Sequence, residues 1–191
     1  MALTQVAGGL IASGQTITTP TLTSPTINGT PVMGASVITS GTAVASTSGT
    51  SINFTSIPAW VKRITVMFNQ ISTTGGTANY LVQLGDSGGI EASGYSGRVC
   101  DVGAGNAAFS TGFTLTSDNS AALINSGAIT LSLLGSNIWT EVGILSRTDG
   151  GNNQYRSAGV KQLSDTLTQV RVTTTNGTDT FDAGSINILY E

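Results

Sequence analysis

The chain has 191 residues, with seven Lys or Arg against ten Asp or Glu, a net charge of −3, no His and one Cys, Cys100. Missing His excludes Ser-His-Asp and Cys-His nucleophilic sites and His-ligated zinc, and one Cys excludes an internal disulfide or a thiolate metal cluster. The acidic balance and the 9% charged residues, against about 25% in an ordinary domain, exclude nucleic acid as a partner.

Apolar stretches are broken every few positions by Thr, Ser, Gly or Asn. A spanning helix needs about 20 mostly apolar residues, so no membrane insertion is expected. The opening MALTQVAGGLIASGQTITTP has neither a basic start nor a continuous apolar run, so it does not read as a secretory signal.

The first charged residue is Lys62, and all four prolines precede it. Within this neutral region ITTPTLTSPTINGTPV repeats a short unit: Pro20, Pro25 and Pro31 each follow Thr or Ser, and Leu22, Ile27 and Val32 follow the prolines. Proline fixes φ and pushes its predecessor towards extended backbone. One extended chain with so few aliphatic residues cannot make a core, but parallel copies around an axis can turn those residues inward. Residues 1–36 are therefore expected to be an extended, uncharged anchor and shaft, with Pro20, Leu22, Pro25, Ile27, Pro31 and Val32 on the seam between the copies. A flexible linker is the plain alternative.

Residues 37–191 read as β throughout. Short strands are expected near 37–45 and 50–55, and Ile64, Val66 and Phe68 alternate with Thr65, Met67 and Asn69, as a half-buried strand does. Tyr80, Val82 and Leu84 repeat the pattern, followed by Phe113 and Leu115, then Ile129, Leu131 and Leu133. Ile138, Val142 and Ile144 form the next apolar series, then Val170 and Val172, and finally Ile186, Ile188 and Tyr190. Asn28-Gly29, Asp149-Gly150 and Asn176-Gly177 are hairpin-type dipeptides. The spacing predicts an all-β fold of about eight to ten strands, an antiparallel β-sandwich resembling a jelly roll, with the last strand built into the sheet.

The acids are scattered, mostly beside Gly or Asn in turns, where Asp serves its own backbone. No carboxylate pair stands out for glycoside cleavage, and there is no phosphate loop, dinucleotide fingerprint or calcium loop. No enzymatic activity, metal or cofactor is expected. Two long polar stretches, 85–98 and 146–156, each end with a Tyr and an Arg. Tyr can stack on a sugar ring while Arg, Asn and Asp satisfy hydroxyls, so Asp149, Asn152, Tyr155 and Arg156 form one candidate ligand surface, and Tyr95 with Arg98 a second. The plain alternative puts both tyrosines at the core edge with the hydroxyl in water. Trp60 and Trp139 are expected to pack.

TPTLTSPTI resembles the shaft and attachment segments of bacteriophage fibre proteins, and MALTQVAGG is similar to the start of phage structural proteins that dock on a virion. TSINFTSIPAWVKRITVMFNQISTTG and FDAGSINILYE look like terminal domains of phage and prophage fibre proteins. The resemblance implies a homotrimer made in the bacterial host cytoplasm and carried on the virion. Its N-terminal segment would dock on other virion proteins, and its C-terminal knob would adsorb to a host cell-surface glycan. The alternative is a capsid or neck decoration protein, such as a head fibre, with a stabilising or adhesive role and no specific receptor.

Overall fold

Alternating apolar and polar residues become fourteen β-strands in the computed structural model, which describes residues 38–102, 105–121 and 123–191. The chain divides into two units, residues 1–35 and 36–191, and the described residues belong to the second. The proline repeat with Pro20, Leu22, Pro25, Ile27, Pro31 and Val32 and the Asn28-Gly29 dipeptide lie outside the described residues.

In chain order the strands are β1 (Thr39–Ser40), β2 (Val44–Ala45), β3 (Ile52–Phe54), β4 (Arg63–Thr73), β5 (Tyr80–Asp86), β6 (Gly89–Ile90) and β7 (Tyr95–Asp101). They continue with β8 (Asn106–Phe109), β9 (Phe113–Thr114), β10 (Asn125–Gly135), β11 (Ile138–Arg147), β12 (Gln154–Gln162), β13 (Gln169–Thr174) and β14 (Phe181–Tyr190). Nine strands form one antiparallel sheet in the order β1-β14-β4-β10-β11-β12-β7-β8, with β2 also on β14. The other five form a second antiparallel sheet, β3-β13-β5-β6 with β9 also on β5. No described residue is helical.

Both sheets feed a single hydrophobic core. Ile64, Val66, Ile129, Leu131, Ile186 and Ile188 come from the large sheet, and Val82, Leu84, Val170 and Val172 from the small one. Because successive side chains point to opposite faces, the expected alternation holds along β4, β10, β13 and β14, whereas β5 is buried at every position, with Tyr80, Val82 and Leu84 in the core cluster. Aromatic rings join the layers: Tyr80 of β5 stacks on Phe181 of β14 at 6.2 Å, and Tyr95 of β7 meets Phe113 of β9 edge-on at 5.0 Å.

β11 reverses its expected phase. Trp139, Glu141, Gly143 and Leu145 face the core, and Val142 and Ile144 face outward. The two-residue turn Ser136-Asn137, with φ of 49° and 59°, sets the register between β10 and β11. Two successive positive φ values make the tight turn that matches strand twist. Asp149-Gly150 does join two paired strands, β11 and β12. Asn176-Gly177 instead links β13 of the small sheet to β14 of the large one, so it is a turn between sheets. Trp139 is buried, as expected, whereas Trp60 is exposed and leans on Tyr190 at 5.8 Å.

Across the inner face of the large sheet, Leu131, Glu141, Gly159, Gly97 and Phe109 pair in one row. The Phe109 ring lies over both glycines, and a methyl group at Gly97 would run into that ring and the Ala158 carbonyl. Overpacking a filled core costs about 1–3 kcal/mol, and part of this obstacle is backbone. Gly97→Ala is expected to lower Tm by roughly 5–10 °C, measured by circular dichroism; an unchanged melt would show that the ring moves aside freely.

Candidate interaction surface

Strand alternation separates each predicted Tyr from its Arg. Tyr95 opens β7 facing the core, so Arg98, three residues on, faces outward; Tyr155 of β12 faces inward and Arg156 outward. β7 and β12 are antiparallel neighbours, with Arg98 opposite Ala158 and Cys100 opposite Arg156. The two arginines thus share one face, on adjacent strands. The candidate loops proposed separately from the sequence contribute to one surface, through strands and without their tyrosines.

β11 completes it. Val142 lies opposite Ala158 and Ile144 opposite Arg156. Val142 is 61% exposed, Ile144 48% and Val160 38%. Together with Arg98, Cys100, Asn106 and Arg156, the two β11 side chains line a shallow groove of about 510 Å³. Arg98 donates to the Asn106 side-chain carbonyl at 2.6 Å, and Arg156 makes a long contact of 3.5 Å with that of Gln154. The groove offers two cationic planes around an apolar floor, a combination that suits a packed surface better than a reaction centre.

The tyrosine rings are core, so stacking on a sugar is closed to them. The Tyr95 hydroxyl accepts the Leu84 N–H at 2.7 Å and donates to the Glu91 carbonyl at 3.0 Å. The ammonium of Lys161 stands 5.3 Å above the ring and pairs with Glu91. Tyr155 is fully buried and donates to the Asp118 carboxylate. Burial pushes both hydroxyls well above the usual phenol range, helped at Tyr155 by Asp118. Both readings of these residues need correction: they do not stack on ligand, and their hydroxyls are held by protein groups.

Asp149 organises its own loop. Its carboxylate takes Arg147 Nε at 3.0 Å and Nη2 at 3.1 Å, with the Gly151 and Ile124 N–H groups at 3.2 and 3.3 Å. The Arg147 guanidinium holds its pKa down to about 2. Asn152 is exposed beside it. Of the six candidates, Arg98 and Arg156 come together, Asn152 is free to solvent, and Asp149 and both tyrosines are structural.

A carboxylate pair the sequence did not suggest lies under this loop. Asp101 and Asp118 share the side-chain amide of Asn153, at 2.6 and 3.0 Å. Asp118 also accepts Tyr155, so neutral donors already serve the pair. Among the described residues no three His, Cys, Asp or Glu side chains gather within metal-binding reach. Nor is any described helix long and apolar enough to cross a membrane.

No family model, curated protein or solved structure matches this chain. Val142 and Ile144 were expected as an apolar, inward-facing series, and what sequence reasoning missed was their place on the outer face. Their signal was present in Trp139 and Leu145, which occupy the opposite parity with Gly143 between them.

Proposed function

We propose that this chain is a subunit of a bacteriophage virion fibre: a homotrimer docked by residues 1–36 that presents a jelly-roll-like β-sandwich to a host surface glycan. The observation that carries the assembly part of this reading is the outer face of β11 and β12. Val142, Ile144 and Val160 make an apolar strip across neighbouring strands, rimmed by Arg98 and Arg156. Contiguous exposed apolar surface rimmed by polar groups marks interaction sites, and a second copy of the same chain is the occupant that a trimer supplies. The proline repeat supports the same symmetry, because its aliphatic residues need parallel copies to be covered.

Light scattering on the full chain is expected to give about three times the 19.3 kDa subunit mass. The double variant Val142→Asp with Ile144→Asp is expected to give a folded species of lower mass. A wild-type monomer at micromolar concentration would overturn the assembly reading.

A second reading has one observation in its favour. With Tyr95 and Tyr155 in the core, the rings meant for a sugar are absent from the surface, which favours a decoration protein without a specific receptor. Particles lacking this chain separate the two. Lost adsorption supports the receptor role, whereas normal adsorption with less stable particles supports decoration.

A further inference from the structure

The outer face of the small sheet carries a groove separate from the arginine strip of the large sheet. Val170 and Val172 turn into the core, so Arg171 between them turns outward, and Val82 and Leu84 impose the same on Gln83. Arg171 lies directly opposite Gln83 of β5 on one side and Asn53 of β3 on the other. Thr173, opposite Leu81, follows on the same face. The segment between β8 and β9 covers part of this face: Gln83 is only 4% exposed, and its side-chain N–H donates to the Thr111 carbonyl at 2.7 Å. What the cover leaves open is a groove of about 370 Å³, whose lining includes Gln83, Thr111, Arg171, Thr173 and Thr175. That volume falls within the range of small-ligand sites, about 300–1,000 Å³.

Arg171 is held there in a fixed plane. Its Nε donates to Gln83 Oε1 at 2.9 Å, and Nη2 donates to the same oxygen. The Gln83 amide has one orientation open to it, because the Thr111 carbonyl needs its N–H end while the guanidinium needs its oxygen. A guanidinium has five N–H groups; Gln83 takes two, and three remain for solvent or ligand. Elsewhere among the described residues Arg63 pairs with Glu191, Arg147 with Asp149 and Lys161 with Glu91. No Asp or Glu lines the Arg171 groove. A half-buried cation bound by one neutral carbonyl keeps its full charge and an open edge.

We propose that this groove binds a carboxylate-bearing sugar, with the acid group on Arg171 and the ring hydroxyls on the threonine side chains. The Nη1 and Nη2 edge matches the two oxygens of a carboxylate in parallel hydrogen bonds, which are stronger and more directional than neutral ones. Gln83 sets the guanidinium plane in advance, so little side-chain freedom is lost on binding. The surroundings select a polyhydroxylated acid. Thr111 and Thr175 are exposed, and the one large apolar side chain of the lining, Leu81, is 3% exposed, which leaves no apolar pocket for an amino-acid side chain. Phosphate fits less well, because a single guanidinium with no second cation in the lining does not balance two charges. The choice of a saccharide rests on the receptor form of the fibre reading, whereas the preference for a carboxylate rests on Arg171.

The test titrates sodium glucuronate, glucose and N-acetylglutamate into the full chain, with binding read by ligand-observed saturation-transfer NMR. Glucuronate is expected to bind with a millimolar Kd and glucose at least about tenfold more weakly. Gln83→Glu sets a carboxylate of the protein's own against the guanidinium, and is expected to weaken glucuronate about tenfold or more with Tm retained. Arg171→Gln, at an outward position, is expected to do the same and decides the matter if the buried variant does not fold. No glucuronate binding, equal binding of glucose, or binding unchanged in the folded variants overturns the proposal. N-acetylglutamate bound as tightly as glucuronate would make the groove a site for acidic peptides and overturn the saccharide assignment. The fibre reading keeps its own test: failed titrations with particles that need this chain to adsorb would put the receptor surface elsewhere. Glucuronate binding with normally adsorbing particles would keep the site and discard the receptor role.

Discussion

A chain lacking residues 186–191 is expected not to fold. β14 lies inside the nine-stranded sheet, with β4 on one side and β1 and β2 on the other. Its Ile186 and Ile188 are buried in the shared core, and Tyr190 packs against it. Removing a buried Ile side chain costs about 2–5 kcal/mol, and here two go together with the backbone pairs of Ile186 to Tyr190 with β4. The closing Glu191 adds the backbone bonds from Lys62 and Arg63 at 2.7 and 2.9 Å and an ion pair with Arg63. Domains hold only about 5–15 kcal/mol of net stability, so the loss consumes most of it. The uncovered β4 edge would then invite pairing with other chains. Circular dichroism and sedimentation check this: a soluble, β-rich product with a cooperative melt would refute it.

The protein is expected to lose stability between about pH 4.5 and pH 7, and Glu141→Gln is expected to remove that slope. Glu141 faces the core from β11, receives one hydrogen bond, from Ser157 at 2.6 Å, and leaves Oε2 without a partner among the described residues. Its neighbours in the sheet are Leu131 and Gly159. Burial pushes its pKa from the ordinary 4.5 up to about 7, against the opposing effect of Ser157. The folded state therefore holds the proton more tightly than the unfolded chain. The resulting stabilisation is complete below the unfolded pKa and is lost as pH rises through the folded one, a change of about 3 kcal/mol.

Asp149 has the opposite sign. Its depressed pKa of about 2 gives stabilisation that is present above the ordinary value and lost as pH falls towards 2. These two groups together place maximum stability near pH 4–5. Urea melts from pH 4 to pH 8 read the Glu141 slope directly, and Glu141→Gln, which mimics the neutral acid, is expected to exceed the wild type above pH 7. A flat wild-type profile, or the same slope in the variant, would mean that Glu141 ionises without penalty.

Strand type and facing were legible wherever one parity alone carried large apolar residues. Ile64, Val66 and Phe68, or Val170 and Val172, leave the chain one way to bury them, because side chains alternate and a one-residue slip would expose the whole set. β11 carries apolar residues on both parities, Trp139 and Leu145 on one and Val142 and Ile144 on the other. Local alternation then has no preference. The decision passes to the Ser136-Asn137 turn and the neighbouring strands, which admit Gly143 where the Ile129 side chain fills the space.

The arginine surface was half legible for a related reason. That Arg98 and Arg156 face water follows from their charge. That they face it together depends on β7 lying beside β12, a pairing between strands more than fifty residues apart in the chain. The tyrosines went the other way because a large ring buried with its hydroxyl bonded gains more than one left at a loop edge. Composition and alternation thus determined an all-β chain and most of its core. The neighbours of each strand, the burial of Glu141 and the shared arginine face were decided by long-range pairing, since local sequence favours a strand but does not choose its partner.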